Sequence, residues 1–257
     1  VRKGRRDLFH YFVGQDCRSS TEVMDATRGL HKPTSSTRSF SSSEARQSNF
    51  RVARRDDMLR IGLVMLQGAR HVHMSALQRA ADECDIAISL HELRMASDLE
   101  DVNPHALVLP GGESTTMRLT GNHEASGLLP AVFEWIRSDP SRPVLGTCAG
   151  AILLADPQDG GEPLIPASID RNAYGRQADS FQDHLYSEML GRKFPGVFIR
   201  APRFDSIDDS AEVAATHDGE VVGIRHGNRL ALTFHPELST DNGFHRWLIE
   251  AAAEAEA

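Results

Sequence analysis

Three short stretches of this 257-residue chain hold residue types that do covalent chemistry: GTCAG at 146–150, HPE at 235–237 and PGGEST at 110–115. In the first, Cys148 stands between glycines two positions before and two after it, where the apolar run PVLGT gives way to the helix-like AGAILLA. A glycine-x-nucleophile-x-glycine pattern at a strand-to-helix seam is the form of a nucleophile elbow, in which absent side chains relieve a strained turn. A helix starting at Ala149 would aim its first amides at the sulfur, favouring a thiolate and offering a donor to a developing oxyanion. A cysteine packed as a small hydrophobe is the commoner occupant of such a seam, so the elbow needs a base to be more than packing.

The base is supplied by LALTFHPELS. His235 and Glu237 lie two apart at the end of a strand-like run, which can put both on one side, and Pro236 stiffens the link. A carboxylate there would orient the imidazole and stabilise its protonated form while the imidazole exchanges a proton with the thiol. A lone strand-end histidine is usually structural, but beside an elbow cysteine the pair completes a Cys-His-Glu arrangement. In ALVLPGGESTTM, Gly111 and Gly112 permit close backbone approach and can turn an amide toward a reacting carbonyl. A tight strand-to-helix turn with Ser114 as N-cap explains the same residues equally well. A phosphate loop fits poorly, because no G-K-[ST] follows and Glu113 would repel phosphate.

From residue 59 the chain alternates short apolar runs (LRIGLVML, IAISL, ALVLP, PVLGT) with helical patterns (SALQRAADEC, LLPAVFEWIRS, AGAILLA), the signature of an α/β fold with a central parallel sheet covered by helices. VFIRAP, EVAATH, EVVGIRHG and LALTFHP then add strands before a last helix around FHRWLIEAAAEA. Residues 1–57 differ in kind. They carry twelve Lys+Arg and seven Asp+Glu, about +5, which leaves about −13 for 58–257 within the total of −8. Rich in Ser, Thr and Arg and without apolar periodicity, they are predicted to be a disordered tail or an over-long N-terminus ahead of a natural start at Met58. Asp16, Glu22, Asp25 and Glu44 weaken a transit-peptide reading. The acidic body argues against nucleic acid, three scattered cysteines against a disulfide framework or metal site, and the absence of a long apolar run against a membrane span. A soluble, cytoplasmic protein is expected.

Taken together, GTCAG and HPE resemble the class I, or triad, glutamine amidotransferases. LQGA, PGGESTTMR, GTCAGAILLA, RNAYGRQADSF, VFIRAP and FHPEL, in that order, closely resemble the glutaminase subunit of pyridoxal 5'-phosphate synthase over residues 59–247. The resemblance implies a flavodoxin-like three-layer fold with a central, mostly parallel sheet over 58–257. It implies catalysis by Cys148, His235 and Glu237 through a γ-glutamyl thioester, with an oxyanion hole from the amides of Gly112 and Ala149. By motif match, Gly112, Glu113, Ser114, Arg171, Ile199 and Arg200 would bind glutamine, and a guanidinium suits the substrate's α-carboxylate. It further implies no metal and no organic cofactor, and transfer of ammonia to a separate synthase subunit assembled in rings, for vitamin B6 synthesis.

Two segments depart from the family pattern. DPQDGGEPLIPASIDRN is shorter than the usual Gly-Leu-rich stretch before the RN motif, and after LQGA the usual Arg-Glu-His reads RHVH, with His71 and Val72 in its first two places. Neither change touches the triad, and both can alter how the partner docks or how activity is coupled to it. The alternatives are the glutaminase subunit of another amidotransferase, which should lack RNAYGRQADSF, and a non-catalytic assembly subunit, which the intact triad opposes.

Overall fold

LRIGLV holds five apolar or glycine positions and one arginine, a composition that needs cover on both faces. In the computed structural model, which describes residues 58–68, 70–171 and 180–257, this run is strand β1 (Leu59–Val64) and lies inside a sheet. The chain then alternates: α1 (Arg70–Cys84), β2 (Ile88–Leu93), α2 (Ala96–Val102), β3 (Ala106–Leu109), α3 (Ser114–Gly121), α4 (Leu128–Ser138), β4 (Val144–Thr147) and α5 (Ala149–Ala155). Strands follow as β5 (Ala167–Asp170), β6 (Phe181–Ser187), β7 (Arg192–Phe198), β8 (Arg203–Ile207), β9 (Glu212–His217), β10 (Glu220–His226) and β11 (Arg229–Leu232). A 3-10 turn (Pro236–Leu238) and α6 (Gly243–Ala255) close the series. Among the described residues no helix is long and apolar enough to cross a membrane.

Nine strands form one sheet in the order β2-β1-β3-β4-β11-β10-β9-β6-β7, and β5 and β8 pair separately. From β2 to β11 every pairing is parallel, which is the expected α/β core; from β11 outward the pairings are antiparallel. The change of direction is local chemistry, since β9, β10 and β11 are joined by the short turns Asp218-Gly219 and Gly227-Asn228, too short for a parallel crossover.

Side chains alternate across the parallel strands, so one sheet feeds two cores. Ile61, Leu63, Ala106, Val108, Leu145, Leu230 and Leu232 face α1 and α6. Val64, Leu107, Leu109, Val144 and Ala231 face the opposite layer of α2, α4 and α5. Helix α4 shows why that layer forms: Leu128, Leu129, Val132, Phe133, Trp135 and Ile136 recur at helical spacing and are all buried. Each such side chain contributes roughly 1.5–3 kcal/mol on burial. The three-layer architecture expected from the sequence is thus present. The expectations for residues 1–57, for Ala69 of LQGA and for 172–179 of RNAYGRQADSF lie outside the described residues.

Candidate active site

Strands β1, β3, β4 and β11 are parallel, so their C-terminal edges meet on one side of the sheet, where open α/β sheets bind ligands. Strand β4 ends at Thr147 and α5 begins at Ala149, leaving one residue for the whole reversal. That residue is Cys148, with φ 48° and ψ −107°, a conformation L side chains rarely adopt and one that costs on the order of 1–3 kcal/mol. Its amide donates to the Leu232 carbonyl at 2.8 Å, which ties the elbow to β11. The two flanking glycines have distinct steric reasons. A Cβ on Gly150 would lie 1.9 Å from the Leu109 carbonyl oxygen of β3, and one on Gly146 would lie 2.9 Å from the backbone of Gly150. Only glycines let α5 lie this close to β3 and β4.

His235 follows β11 directly. Its amide donates to the Val197 carbonyl at the end of β7, 2.8 Å away, and Nδ1 donates to Glu237 Oε1 across 2.7 Å. Glu237 sits in the 3-10 turn and is 6% exposed. Burial works against the charge on His235, but the hydrogen bonds and charges of Cys148 and Glu237 outweigh it and raise its pKa to about 10. Burial likewise opposes a charged Glu237, yet His73 and His235 hold its carboxyl well below the usual range. His235 thus lies between Cys148 and the buried Glu237 carboxylate, the arrangement that a Cys-His-Glu triad requires. Gly111 packs against both partners: a Cβ there would fall 2.5 Å from His235 Cε1 and 3.2 Å from Cys148 Cβ.

The 110–118 segment is organised differently from one sequence expectation. The N-cap of α3 is Glu113, not Ser114. The Glu113 carboxylate accepts from the Thr115 and Thr116 amides at 3.0 and 2.7 Å and from the Thr116 hydroxyl at 2.8 Å, and these bonds, the Thr116 hydroxyl first, lower its pKa to about 2. A carboxylate reaches the amides of its own helix turn as well as serine would, and it also complements the helix dipole. Ser114 is thereby released to accept from Arg171 Nη1 at 3.3 Å. The Glu113 amide donates to Gln67 Oε1 at 2.6 Å, so Gln67 of LQGA holds the backbone beside Gly112. Buried Arg118 donates to the Asp156 and Pro157 carbonyls, the latter at 2.8 Å, and fixes the start of the shortened segment after α5.

Ile199 and Arg200 follow β7 immediately, and Arg200 takes a positive φ of 45°. Antiparallel pairing of Asp170 with Arg203 brings Arg171 alongside the segment that ends in Arg200-Ala201-Pro202. The predicted glutamine-binding residues therefore fall into two groups around the triad: Gly112, Glu113 and Ser114 on the β3 side, and Arg171, Ile199 and Arg200 on the β5/β8 side, with the Arg171–Ser114 contact joining them.

The sequence profile of the SNO glutamine amidotransferase family matches residues 63–254. The chain belongs to the SNO glutamine amidotransferase family. Within it, the amidotransferase is 39% identical over 197 residues to "Pyridoxal 5'-phosphate synthase subunit PdxT" of Methanothermobacter thermautotrophicus, covering 75% of this chain and 96% of that one. It is 42% identical over 185 residues to the protein of the same name from Actinobacillus pleuropneumoniae, covering 70% and 89%. Among solved structures it is similar to one described as "Crystal structure of glutamine amidotransferase", with TM-score 0.64, 38% identity and coverage of 75% and 98%. The PurLQS structure from Thermotoga maritima shares the fold at TM-score 0.55 and 17% identity, covering 78% of this chain and 100% of that one. The family resemblance drawn from the motifs is borne out.

Sequence reasoning missed Gln67, Arg118 and a buried histidine, His73, that approaches Glu237. LQGA had been noted only as a family marker, and the helix of α1 was expected to begin near Ser75. Had it been started at Arg70, His73, Ala76, Leu77 and Ala80 would have appeared on one buried face, with a histidine among apolar side chains as the signal.

Proposed function

We propose that this amidotransferase hydrolyses L-glutamine to L-glutamate and ammonia at Cys148, and passes the ammonia to a pyridoxal 5'-phosphate synthase subunit. The observation that carries the reading is the strained Cys148 elbow facing an imidazolium whose other nitrogen is held by a buried carboxylate. With Nδ1 of His235 engaged by Glu237, Nε2 serves the sulfur. The Cys148 thiolate adds to the side-chain carbonyl carbon of glutamine, and the amides of Gly112 and Ala149 receive the oxyanion. Collapse breaks the C–N bond, His235 Nε2 gives its proton to the departing nitrogen, and ammonia and a γ-glutamyl thioester result.

That step also resets the base. The sulfur's negative charge, one of the influences that raise the His235 pKa, is gone once the sulfur is acylated, so the neutral imidazole can take a proton from water as it attacks the thioester. Hydrolysis then releases glutamate and restores the thiolate–imidazolium pair. Arg171 and Arg200 offer guanidinium groups to the α-carboxylate, while Gly112, Glu113, Ser114 and Ile199 line the remainder; with the Glu113 side chain committed to its cap, its contribution is through backbone. The chemistry requires no metal or organic cofactor. The synthase subunit, as part of a ring assembly in the cytoplasm, would receive the ammonia and activate the site, and the relatives' names support this partnership.

The test is ammonia and glutamate release from glutamine with and without a purified synthase subunit. Release that depends on the partner and falls at least about 1,000-fold in Cys148→Ala is expected. A wild-type complex that forms but releases no ammonia would replace this reading with an assembly-only subunit.

A further inference from the structure

Behind the triad, on the face of the sheet covered by α1 and α6, lie two further histidines that the mechanism above does not use. His73 projects from α1 and is 1% exposed; His245 projects from α6 and is fully buried. His73 Nε2 approaches Glu237 Oε1 at 3.4 Å and the Thr147 hydroxyl at 3.5 Å. Its Nδ1 lies 3.3 Å from His245 Nε2, with the rings tilted at 57°. Glu237 Oε1 thus faces two imidazoles, His235 at 2.7 Å and His73 at 3.4 Å, while Oε2 is buried with no partner among the described residues.

Proton placement follows from donor and acceptor chemistry. A carboxylate only accepts, so a proton on His73 Nε2 is the arrangement that favours Glu237. Nδ1 of His73 then carries the lone pair, which accepts from His245 Nε2–H at 3.3 Å. His245 Nδ1 is left as an acceptor and has no partner among the described residues. Burial lowers the His245 pKa to about 3, so it remains neutral and can donate from one nitrogen only. Donation therefore runs in one direction, from His245 to His73 to Glu237, and meets the His235 proton there.

We propose that His73 is a positioning residue for the glutaminase reaction, holding the Glu237 carboxylate so that its Oε1 stays aligned on His235, with His245 fixing the tautomer of His73. This rests on the triad reading above. An unsupported buried carboxylate with one bonded oxygen has freedom to rotate, and carboxylates that orient catalytic histidines typically need such outer support, worth about 10–100-fold in activity.

Two variants of similar polarity separate positioning from packing. Glutamine matches the Nε2 end of histidine and can still donate to Glu237; asparagine matches only the Nδ1 end. With the synthase subunit present, His73→Asn is expected to lower kcat about 10-fold or more, with KM for glutamine within about two-fold. It should also move the alkaline limb of the pH profile downward, because the groups facing His235 and Glu237 (Cys148, His73 and, behind it, His245 and Arg79) would then hold the carboxylate less well. His73→Gln should recover kcat to within about three-fold. His245→Phe, which fills the volume without the Nε2 donor, should give a smaller loss of the same kind. The proposal is overturned if His73→Asn keeps wild-type kcat and pH profile, if the Gln and Asn variants lose activity alike, or if His245→Phe lowers only the melting temperature. Should wild type itself show no activity, the glutaminase reading fails and this one with it; Cys148→Ala in parallel distinguishes the two.

Discussion

Glu237 decides the electrostatics of the site, because it is the charge that both neighbouring imidazoles face. Its own carboxyl is depressed, so its favourable contribution to folding is present above the ordinary value of 4.5 and is lost as pH falls below it. His235 is raised, so its contribution is complete below 6.5 and is lost as pH rises toward about 10. The pair therefore stabilises the fold most between these two limits. In Glu237→Gln, the melting temperature is expected to drop most near pH 5–6.5, with the gap from wild type narrowing toward pH 10. Activity should respond in the same sense. Loss of the carboxylate removes part of what raises the His235 pKa, so the alkaline limb of ammonia release in the synthase complex should move to lower pH, with kcat down roughly 100-fold or more. An unmoved limb would mean that Glu237 does not set the state of His235.

At the scale of elements, the elbow depends on how closely α5 lies against β3 and β4. A methyl at Gly150 would overlap the Leu109 carbonyl of β3, and that backbone cannot withdraw without breaking the β3–β4 ladder. Gly150→Ala is accordingly expected to cost at least about 2–3 kcal/mol in denaturant unfolding and to abolish activity by displacing Cys148. If it melts like wild type, the steric account of the second elbow glycine is wrong. Strands β3 and β4 were legible from sequence because they are buried on both faces, ALVL becoming β3 and VLGT becoming β4, and LLPAVFEWIRS matched α4 residue for residue because its apolar residues recur at helical spacing. Strands β6 and β8 and helix α2 were not. Phe181–Ser187 and Arg203–Ile207 alternate polar and apolar residues weakly, and α2 is short and polar, so hydrophobic periodicity had little to register. VFIRAP was expected as a strand, but β7 ends at Phe198 because the chain must turn through Arg200. The candidate catalytic residues were readable because they lie in short contiguous motifs, GTCAG and HPE. His73 and Arg118 were not, since their partners lie 164 and 38 positions away in the chain, at Glu237 and Asp156, and only packing brings them together.

For the whole molecule, the open question is which part of the chain the synthase subunit acts on. Among the described residues both cores draw their buried side chains from 61–252, and the family profile spans 63–254. The Methanothermobacter thermautotrophicus relative is covered over 96% of its length by 75% of this chain. We therefore expect residues 1–57 to be dispensable for the glutaminase step. A chain starting at Met58 changes net charge from −8 to about −13, which affects only weak, salt-sensitive encounters at physiological ionic strength. Its melting temperature should stay within about 2 °C of the full chain, and its synthase-dependent ammonia release should be the same at 150 mM salt. The informative alternative is a truncated chain that melts normally yet is no longer activated by the synthase subunit. That result would place part of the docking surface in the basic residues 1–57, and raising the salt concentration should then weaken activation of the full chain as well.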